Sequence, residues 1–335
     1  MKRICVLGAG SWGTALAILL CNNGHSVTVW SIDPEEVLML MDYREQRDKL
    51  PGVMVPSTID FTTNMEVAVT GAEIVVCAVP SPFVRSTMKS VSKYIVDGTI
   101  IVDVAKGIED KTYKTMTEVI EDECPQAKVG ILSGPSHAEE VGRGIPTTIV
   151  AGSKERDVAE CIQDTFMNET FRVYTSPDVV GIELGGSLKN VIALAAGIVD
   201  GLGFGDNTKA ALMTRGIAEI MRLVIALGGS METVAGLSGI GDLIVTCTSK
   251  HSRNRNAGYL IGQGKSYQEA MDEVKMVVEG VYSAKAAMAL AKANHVSMPI
   301  VEAVNEVLFE GTDAKEASMR LLMRDRTTES QNLEW

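Results

Sequence analysis

A glycine-rich run near the N-terminus places the strongest constraint on how this chain can fold. The run Gly8-Ala9-Gly10-Ser11-Trp12-Gly13 directly follows a predicted strand, Arg3–Leu7, and opens a predicted helix at 12–21. A second predicted strand, Ser26–Trp30, alternates in polarity and is rich in β-branched residues, so the three elements form a βαβ unit. A GxGxxG spacing within such a unit is the fingerprint of a dinucleotide-binding fold, whereas the spacing alone would be weak evidence.

Each glycine of the run has a separate physical role in that fold. Gly8 permits the tight turn after the strand, Gly10 lets the backbone approach a pyrophosphate, and Gly13 lets the helix pack close to the strand. The N-terminus of the helix offers unpaired N–H groups and a partial positive charge to the phosphates. The alternative is a glycine-rich turn that arose by chance, and the register of strand, run and helix argues against it.

The acidic residue that could bind a ribose hydroxyl is Asp33, and its sequence context allows two roles. Folds of this kind that take NAD usually carry an acidic side chain about 20 residues after the glycines. The run Asp33-Pro34-Glu35-Glu36 also indicates a helix start, with Asp33 as N-cap, Pro34 in the first turn and Glu36 completing a capping box. Asp33 is therefore either a helix cap or a ribose contact, and the choice between NAD and NADP stays open.

Strand and helix patterns alternate through the first half of the chain. Further predicted strands lie at 73–79, 99–105, Lys128–Ser133 and 147–151, and predicted helices at 83–94 and 112–123 separate them. Several of these strands lack polar alternation, which is typical of parallel sheets covered on both faces. We therefore predict an α/β, Rossmann-like, doubly wound parallel sheet.

The pattern changes after Pro177, where strand patterns give way to long helical ones. Predicted helices lie at 178–199, 208–227, 283–293 and 300–309. This shift predicts two domains, a dinucleotide-binding domain at 1–177 and an all-α substrate-binding and catalytic domain at 178–335. Small-molecule sites favour the cleft between two such domains.

Composition argues against several classes of function. The 335 residues carry a formal net charge of −12, which disfavours nucleic acid and anionic lipid as partners. Six cysteines without CxxC spacing and four histidines without an HExxH pair predict buried thiols in a reducing compartment and no metal site. The apolar N-terminus indicates a strand rather than a signal peptide, and the apolar run at 191–199 is too short to span a membrane. We expect a buried core helix at that run, with no membrane insertion.

Three segments place polar groups in apolar or glycine-rich surroundings. Lys106 ends a predicted strand, at the sheet edge where ligands bind in open α/β folds. Lys189 and Asn190 precede the most apolar helical stretch, where burial can lower a lysine pKa towards acid–base use. Asp242 should have a cationic partner, and the run Ser252-Arg253-Asn254 suits a phosphate dianion. Each segment has an alternative interpretation: Lys106 as a solvated loop lysine, Lys189 as a snorkelling lysine at a helix edge, and the segment from Asp242 to Asn254 as a polar surface loop.

These segments belong to a longer series of motifs whose order and spacing are specific together, although no single one is decisive. The series comprises residues 8–17, Ala105-Lys106-Gly107-Ile108-Glu109, Ser133-Gly134-Pro135-Ser136, residues 183–190, residues 236–243, Ser252-Arg253-Asn254 and Val278-Glu279-Gly280. In this series, from Gly8 to about Arg324, the chain resembles the bacterial-type NAD(P)-dependent glycerol-3-phosphate dehydrogenases. The resemblance implies an oxidoreductase that interconverts dihydroxyacetone phosphate and sn-glycerol 3-phosphate, with reduced NAD or NADP as hydride donor.

The resemblance also implies roles for individual residues. Lys189 would be the general acid and base, and Asp242 would be the second catalytic residue. The substrate contacts would be Lys106, Gly134, Ser136, Lys189, Asp242, Ser252, Arg253 and Asn254. The cofactor contacts would be Gly8, Gly10, Ser11, Trp12, Gly13, Lys106, Ala138, Arg253, Val277 and Glu279. A cytoplasmic homodimer that supplies glycerol 3-phosphate for phospholipid synthesis is expected on the same ground.

One departure from the family pattern concerns the cofactor. The family often carries a basic residue just after the second strand, but here Trp30 is followed by Ser31-Ile32-Asp33. This segment offers no cation to a 2′-phosphate, so we predict that NADH is accepted. Two other functions fit part of the pattern: a dehydrogenase of small β-hydroxy acids, and a non-catalytic NAD(P)-binding regulator that would need neither Lys189 nor Asp242.

Overall fold

Within the residues that the computed structural model describes, 1–326, 328 and 329, the first half of the chain forms one sheet of eight strands. The strands are β1 (Arg3–Leu7), β2 (Ser26–Trp30), β3 (Asp60–Thr62), β4 (Ile74–Cys77), β5 (Ile100–Asp103), β6 (Lys128–Ser133), β7 (Thr147–Gly152) and β8 (Phe171–Ser176). Their order is β3-β2-β1-β4-β5-β6-β7-β8. Strands β2 and β3 are added on one side of β1, and β4 to β8 are added on the other side. The strand order therefore reverses between β1 and β4, and open α/β sheets bind their ligands at such a switch point.

The predicted Rossmann-like sheet is confirmed, with one difference in strand direction. Strands β1 to β6 run parallel, whereas β7 pairs antiparallel with β6 and β8 runs parallel to β7. Val150 pairs with Ser133, so the segment 134–146 turns back at the same end of the sheet and never crosses it. The prediction missed β3, which has three residues, and β8, an edge strand whose exposed side chains interrupt the apolar run.

Successive residues of β1 explain why the strands are apolar throughout. Ile4 and Val6 belong to one core cluster, and Cys5 and Leu7 belong to another on the opposite face of the sheet. All four side chains have no exposed surface. Because side chains alternate between the two faces of a strand, a strand covered on both faces must be apolar at every position.

Helices cover the sheet and make up the second half of the chain. Those of the first half are α1 (Ser11–Asn22), α2 (Pro34–Tyr43), α3 (Met65–Val69), α4 (Val84–Val91), α5 (Met116–Glu123), α6 (Ala138–Val141) and α7 (Arg156–Phe166). Those of the second half are α8 (Val179–Gly201), α9 (Asp206–Ala226), α10 (Met231–Ala235), α11 (Asp242–Thr248), α12 (Arg253–Gly262), α13 (Tyr267–Val274), α14 (Glu279–Ala293), α15 (Pro299–Asn305) and α16 (Ala314–Leu322). Short 3₁₀ segments flank α4, and single π-helical segments precede α11 and follow α15.

The change from sheet to helices falls between two elements that are three residues apart. Strand β8 ends at Ser176, and Asp178 caps α8 by accepting a hydrogen bond from the Gly181 N–H at 2.9 Å. The boundary between predicted domains 1–177 and 178–335 lies in this junction and stays a prediction. Of the second domain, residues 327 and 330–335 lie outside the described residues.

Helix α8 is the centre of the helical half. The described residues include this one helix that is long and apolar enough to cross a membrane, and its most apolar window is wholly buried inside the protein. It packs against α12 with the two backbones in contact. Gly258 permits this approach, because a Cβ at that position would lie 2.0 Å from the Leu194 carbonyl oxygen. This close approach brings the start of α12 to the middle of α8.

The start of α2 shows one of the two roles predicted for Asp33. Asp33 Oδ1 accepts a hydrogen bond from the Glu35 N–H at 2.9 Å, so Asp33 caps the helix. The predicted capping box is wrong, because the Glu36 carboxylate is buried and accepts instead from the Ser31 hydroxyl at 2.6 Å. Long-range partners described below hold Glu36 in that position.

Candidate active site

The glycine run forms a tight turn with one open face. Gly8 has a φ of +109°, and a Cβ there would lie 2.7 Å from the Ala78 carbonyl oxygen. A Cβ at Gly13 would lie 1.9 Å from the Gly8 carbonyl oxygen, so α1 packs directly on the turn. A Cβ at Gly10 would meet no atom within 4 Å. The open space at Gly10, beside the N-terminus of α1, fits a pyrophosphate group.

A buried carboxylate between two lysines forms the centre of the site. The Lys106 ammonium donates to Asp242 Oδ2 at 2.6 Å, and the Lys189 ammonium donates to Asp242 Oδ1 at 3.0 Å. Lys189 also donates to the Thr246 hydroxyl oxygen at 2.6 Å. The Lys189 and Asp242 side chains are 7% and 2% exposed, whereas that of Lys106 is 16% exposed. The cationic partner predicted for Asp242 is thus present twice.

Three elements far apart in the chain carry this cluster. Lys106 follows β5 at the carboxyl end of the sheet, Lys189 lies in the middle of α8, and Asp242 is the first residue of α11. Thr246 lies one helical turn after Asp242 and donates its hydroxyl to the Asp242 carbonyl at 2.6 Å. Gly186 lets α8 approach, since a Cβ there would lie 3.7 Å from Lys106 Cγ and 3.0 Å from Ser133 Oγ.

Burial and the neighbouring charges set the protonation of the pair. Burial lowers the pKa of Lys189 to about 8, although the Asp242 carboxylate opposes this shift; the Lys106 ammonium adds to it. Burial alone would raise the pKa of Asp242, but the two ammonium groups outweigh burial and hold that pKa below its ordinary value. Asp242 is therefore ionised at neutral pH, while Lys189 can gain or lose a proton near neutrality.

The segment after β6 lies against Lys106. The Lys106 ammonium donates to the Gly134 carbonyl oxygen at 2.9 Å, and the Ser136 hydroxyl donates to the same oxygen at 2.9 Å. His137 follows, and burial together with the Lys189 ammonium lowers the pKa of its imidazole. The half-buried residues Ser136 and His137 therefore lie beside the cluster.

A relay of two amides connects the cluster to the start of α14. The Asn190 Nδ2 atom lies 3.4 Å from the Lys106 carbonyl oxygen and 3.5 Å from Glu279 Oε2. The Asn190 amide oxygen accepts from Asn254 Nδ2 at 2.9 Å, and the Asn254 amide oxygen accepts from the Gly280 N–H at 2.8 Å. The relay joins α8, α12 and α14 with the loop after β5.

The run Ser252-Arg253-Asn254 divides its roles in the structure. Ser252 is buried and caps α12 by accepting from the Arg255 N–H at 3.2 Å. Asn254 is buried, and its amide is already engaged in the relay. Arg253 is half-buried, with one guanidinium N–H donating to the Val277 carbonyl oxygen at 3.3 Å. Arg253 is thus the member of the run with exposed polar surface for a ligand.

The residues singled out from the sequence fall into three groups in the structure. The first is the glycine turn with Ser11 and Trp12 in the first turn of α1, and the second is Lys106, Gly134, Ser136, Lys189 and Asp242. The third is Ser252, Arg253, Asn254, Val277 and Glu279, around the starts of α12 and α14. Ala138 begins the short α6, which packs against α1.

Sequence reasoning gave no role to three residues of this site: Thr246, Asn190 and His137. The four-residue spacing from Asp242 to Thr246 would have placed both on one helix face, had α11 been predicted. Asn190 was noticed only as a polar neighbour of Lys189, and no local pattern indicates its bond to Asn254, 64 residues away. His137 directly follows Ser136 but carries no motif of its own.

Comparisons with known proteins agree in family over nearly the whole chain. Residues 3–159 match the model of the NAD-dependent glycerol-3-phosphate dehydrogenase N-terminus, and residues 178–319 match that of its C-terminus. The chain is 61% identical to a glycerol-3-phosphate dehydrogenase [NAD(P)+] of Agathobacter rectalis over all of both chains. It is 55% identical to that of Fusobacterium nucleatum, over 99% of this chain and all of the relative. The crystal structure of a glycerol-3-phosphate dehydrogenase from Coxiella burnetii, 36% identical, superposes with a TM-score of 0.93 and covers 96% of this chain and 99% of that one.

Proposed function

The chain belongs to the NAD-dependent glycerol-3-phosphate dehydrogenase family, and we propose that Lys189 is the general acid and base of its reaction. The protein is an NAD(P)-dependent glycerol-3-phosphate dehydrogenase, an oxidoreductase, as predicted. It interconverts dihydroxyacetone phosphate and sn-glycerol 3-phosphate. The observation that carries the proposal for Lys189 is the buried lysine–carboxylate pair with Asp242, at 3.0 Å.

The cleft at the carboxyl ends of β1, β4 and β5 would hold the dinucleotide. The open face of Gly10 and the first N–H groups of α1, at Ser11 and Trp12, suit the pyrophosphate. Ala138, Lys106, Arg253, Val277 and Glu279 would complete the contacts on the other walls. A bound reduced nicotinamide supplies the hydride for the ketone carbon. The residues of the chain must then place the substrate and deliver the proton.

Lys189 would deliver that proton to the carbonyl oxygen of the ketone. Among the described residues, Asp242 and Thr246 accept two of the three N–H bonds of its ammonium, and the third would point to the substrate oxygen. With a pKa lowered by burial to about 8, the ammonium is a stronger acid than a solvated lysine. In the reverse reaction the neutral amine would accept the alcohol proton. Asp242 would orient Lys189 and offset the positive charge that develops on the Lys189 nitrogen when the amine accepts this proton.

The remaining groups would bind the non-reacting parts of the substrate. Arg253 would hold the phosphate, since a guanidinium fork suits a phosphate dianion and its side chain is half-buried. Lys106, Gly134 and Ser136 would contact the substrate beside the reacting carbon. The phosphate carries no reacting atom, but fixing it would align the ketone with the hydride donor and Lys189. Ser252 and Asn254 are buried and engaged in capping α12 and in the relay, so they would act on the substrate mainly by fixing the start of α12.

A substrate panel tests this function against its rivals. NADH absorbance should fall when dihydroxyacetone phosphate is added, much faster than with dihydroxyacetone or with small 3-keto acids. Preference for the keto acids would indicate a β-hydroxy acid dehydrogenase, and no turnover with any substrate would indicate a binding protein. The homodimer, the cytoplasmic location and the supply of glycerol 3-phosphate to phospholipid synthesis stay predictions.

A further inference from the structure

The end of β2 lies directly beside the glycine turn. Leu7 pairs with Trp30, and the Gly8 N–H donates to the Trp30 carbonyl oxygen at 2.8 Å. In dinucleotide-binding folds this corner receives the adenosine ribose, and an acidic side chain there accepts a hydrogen bond from the 2′-hydroxyl. Asp33, the residue that sequence spacing suggests, is exposed and occupied in capping α2.

Another acidic side chain, Glu36, is buried at this corner. Its Oε2 accepts from the Ser31 hydroxyl at 2.6 Å, and Ser31 directly follows β2. Its Oε1 accepts from the Gln46 amide at 2.8 Å and from the Lys49 ammonium at 2.6 Å. The same Gln46 amide nitrogen donates to the Ala9 carbonyl oxygen at 2.8 Å. A single amide group therefore connects the Glu36 carboxylate to the glycine turn itself.

The Glu36 carboxylate would respond differently to the two forms of the cofactor. Each carboxylate oxygen can accept more than one hydrogen bond, so Oε2 retains capacity for a ribose hydroxyl. A 2′-phosphate at the same position would meet a buried negative charge that salt screens poorly. One nearby cation, Lys49, is already paired with Glu36, and its side chain is 41% exposed.

The other charged side chains of residues 31–49 do not make the surroundings of Glu36 net positive. Asp33 and Glu35, which flank the start of α2, add negative charge. The Arg44 guanidinium donates to the Ile59 carbonyl oxygen at 2.8 Å. Arg47 forms an ion pair with Glu45, with 3.7 Å between Nε and Oε2. Residues 31–49 carry six carboxylates and three cationic side chains, so the segment beside the glycine turn is net negative.

We propose that Glu36 is the residue that makes this enzyme prefer NADH to NADPH. The proposal rests on the proposed function, because it requires the dinucleotide to lie along the glycine turn. It assigns the ribose contact to the third residue of α2 in place of Asp33. Ser31, Gln46 and Lys49 hold the carboxylate in place.

The wild-type enzyme gives the first test. Its kcat/KM with dihydroxyacetone phosphate should be at least about tenfold higher with NADH than with NADPH. Equal or higher kcat/KM with NADPH would overturn the proposal while leaving the dehydrogenase function intact. If neither reduced cofactor is oxidised, the proposed function itself fails, so the two failures are distinguishable.

A pair of variants then tests the residue. Glu36→Gln keeps the shape of the side chain but removes its charge, so the NADPH to NADH ratio of kcat/KM should rise about tenfold or more. Asp33→Asn is the matched control, because asparagine also caps helices, and its ratio should change less than about threefold. Fluorescence titration with each cofactor should give the same ranking without turnover. An unchanged ratio in folded Glu36→Gln, or an equal change in Asp33→Asn, would contradict the assignment.

Discussion

The Lys189 ammonium lies 3.0 Å from the Asp242 carboxylate where both side chains are more than nine-tenths buried. Burial lowers the pKa of a lysine, whereas an adjacent carboxylate raises it by stabilising the charged ammonium. In this pair the first effect exceeds the second, which places the pKa of Lys189 at about 8. The same contact that orients the lysine therefore also sets the pH range in which it can exchange a proton.

The pH dependence of the two reaction directions should have opposite signs. Reduction of dihydroxyacetone phosphate needs protonated Lys189, so its kcat/KM should be level below pH 8 and fall above it. Oxidation of glycerol 3-phosphate needs the neutral amine, so its kcat/KM should rise through the same range. Steady-state assays from about pH 6 to about pH 10 check this. Profiles of the same sign in both directions would contradict a role for Lys189 in proton transfer.

Removing the carboxylate should move these profiles. Asp242 raises the pKa of Lys189, so Asp242→Asn should shift the alkaline fall of the reduction rate to lower pH. It should also lower kcat, because a neutral amide orients the Lys189 ammonium more weakly than a carboxylate does. A profile that keeps its wild-type position while kcat falls would mean that Asp242 acts without affecting the protonation of Lys189.

Two glycines of the same turn should respond differently to substitution. Gly10→Val should weaken dinucleotide binding without lowering Tm, because a Cβ there meets open space and the Gly10 φ of −67° suits any residue. Gly13→Ala should lower Tm, because its Cβ would lie 1.9 Å from the Gly8 carbonyl oxygen. Cofactor titration by fluorescence and thermal unfolding separate the two effects. Unchanged cofactor affinity in Gly10→Val would place the nucleotide elsewhere.

The first βαβ unit could be predicted because its signals are local. The glycine run, the apolar strand Arg3–Leu7 and the helix that follows lie within about 20 residues, so sequence spacing alone fixes their arrangement. Lys189 and Asp242 were also found, because a charged group in apolar surroundings is conspicuous in any sequence. No local pattern indicates the contact between Lys106 and Asp242, because these residues are 136 positions apart.

Glu36 shows how a local pattern can mislead. The spacing from Asp33 satisfies a capping box, and only half of it forms, because Gln46 and Lys49 from beyond the end of α2 bind the Glu36 carboxylate. The direction of β7 is a second case. The apolar pattern of β7 indicates a strand but not its orientation, which depends on where the chain 134–146 returns to the sheet.

The role of Arg253 can be tested by removing the phosphate from the substrate. Arg253→Ala should cost about 2–5 kcal/mol in kcat/KM with dihydroxyacetone phosphate, the scale for a buried charge pair that loses one partner. The loss should be much smaller with dihydroxyacetone, which has no phosphate and would lose only the contribution of Arg253 to cofactor binding. Arg255→Ala is a matched control on the same helix, because Arg255 pairs with Asp200 at 2.7 Å. Equal losses with both substrates would indicate a cofactor or folding role for Arg253 instead.

The most direct test of the account is turnover by an enzyme that lacks the Lys189 amine. Lys189→Met keeps most of the side-chain volume, and Asp242 would retain Lys106 at 2.6 Å, so the variant should fold. We predict that kcat for dihydroxyacetone phosphate falls at least about 100-fold, while NADH affinity and Tm stay close to wild type. A folded Lys189→Met enzyme that binds NADH and turns over at a near-normal rate would contradict the assignment of Lys189 as the general acid and base.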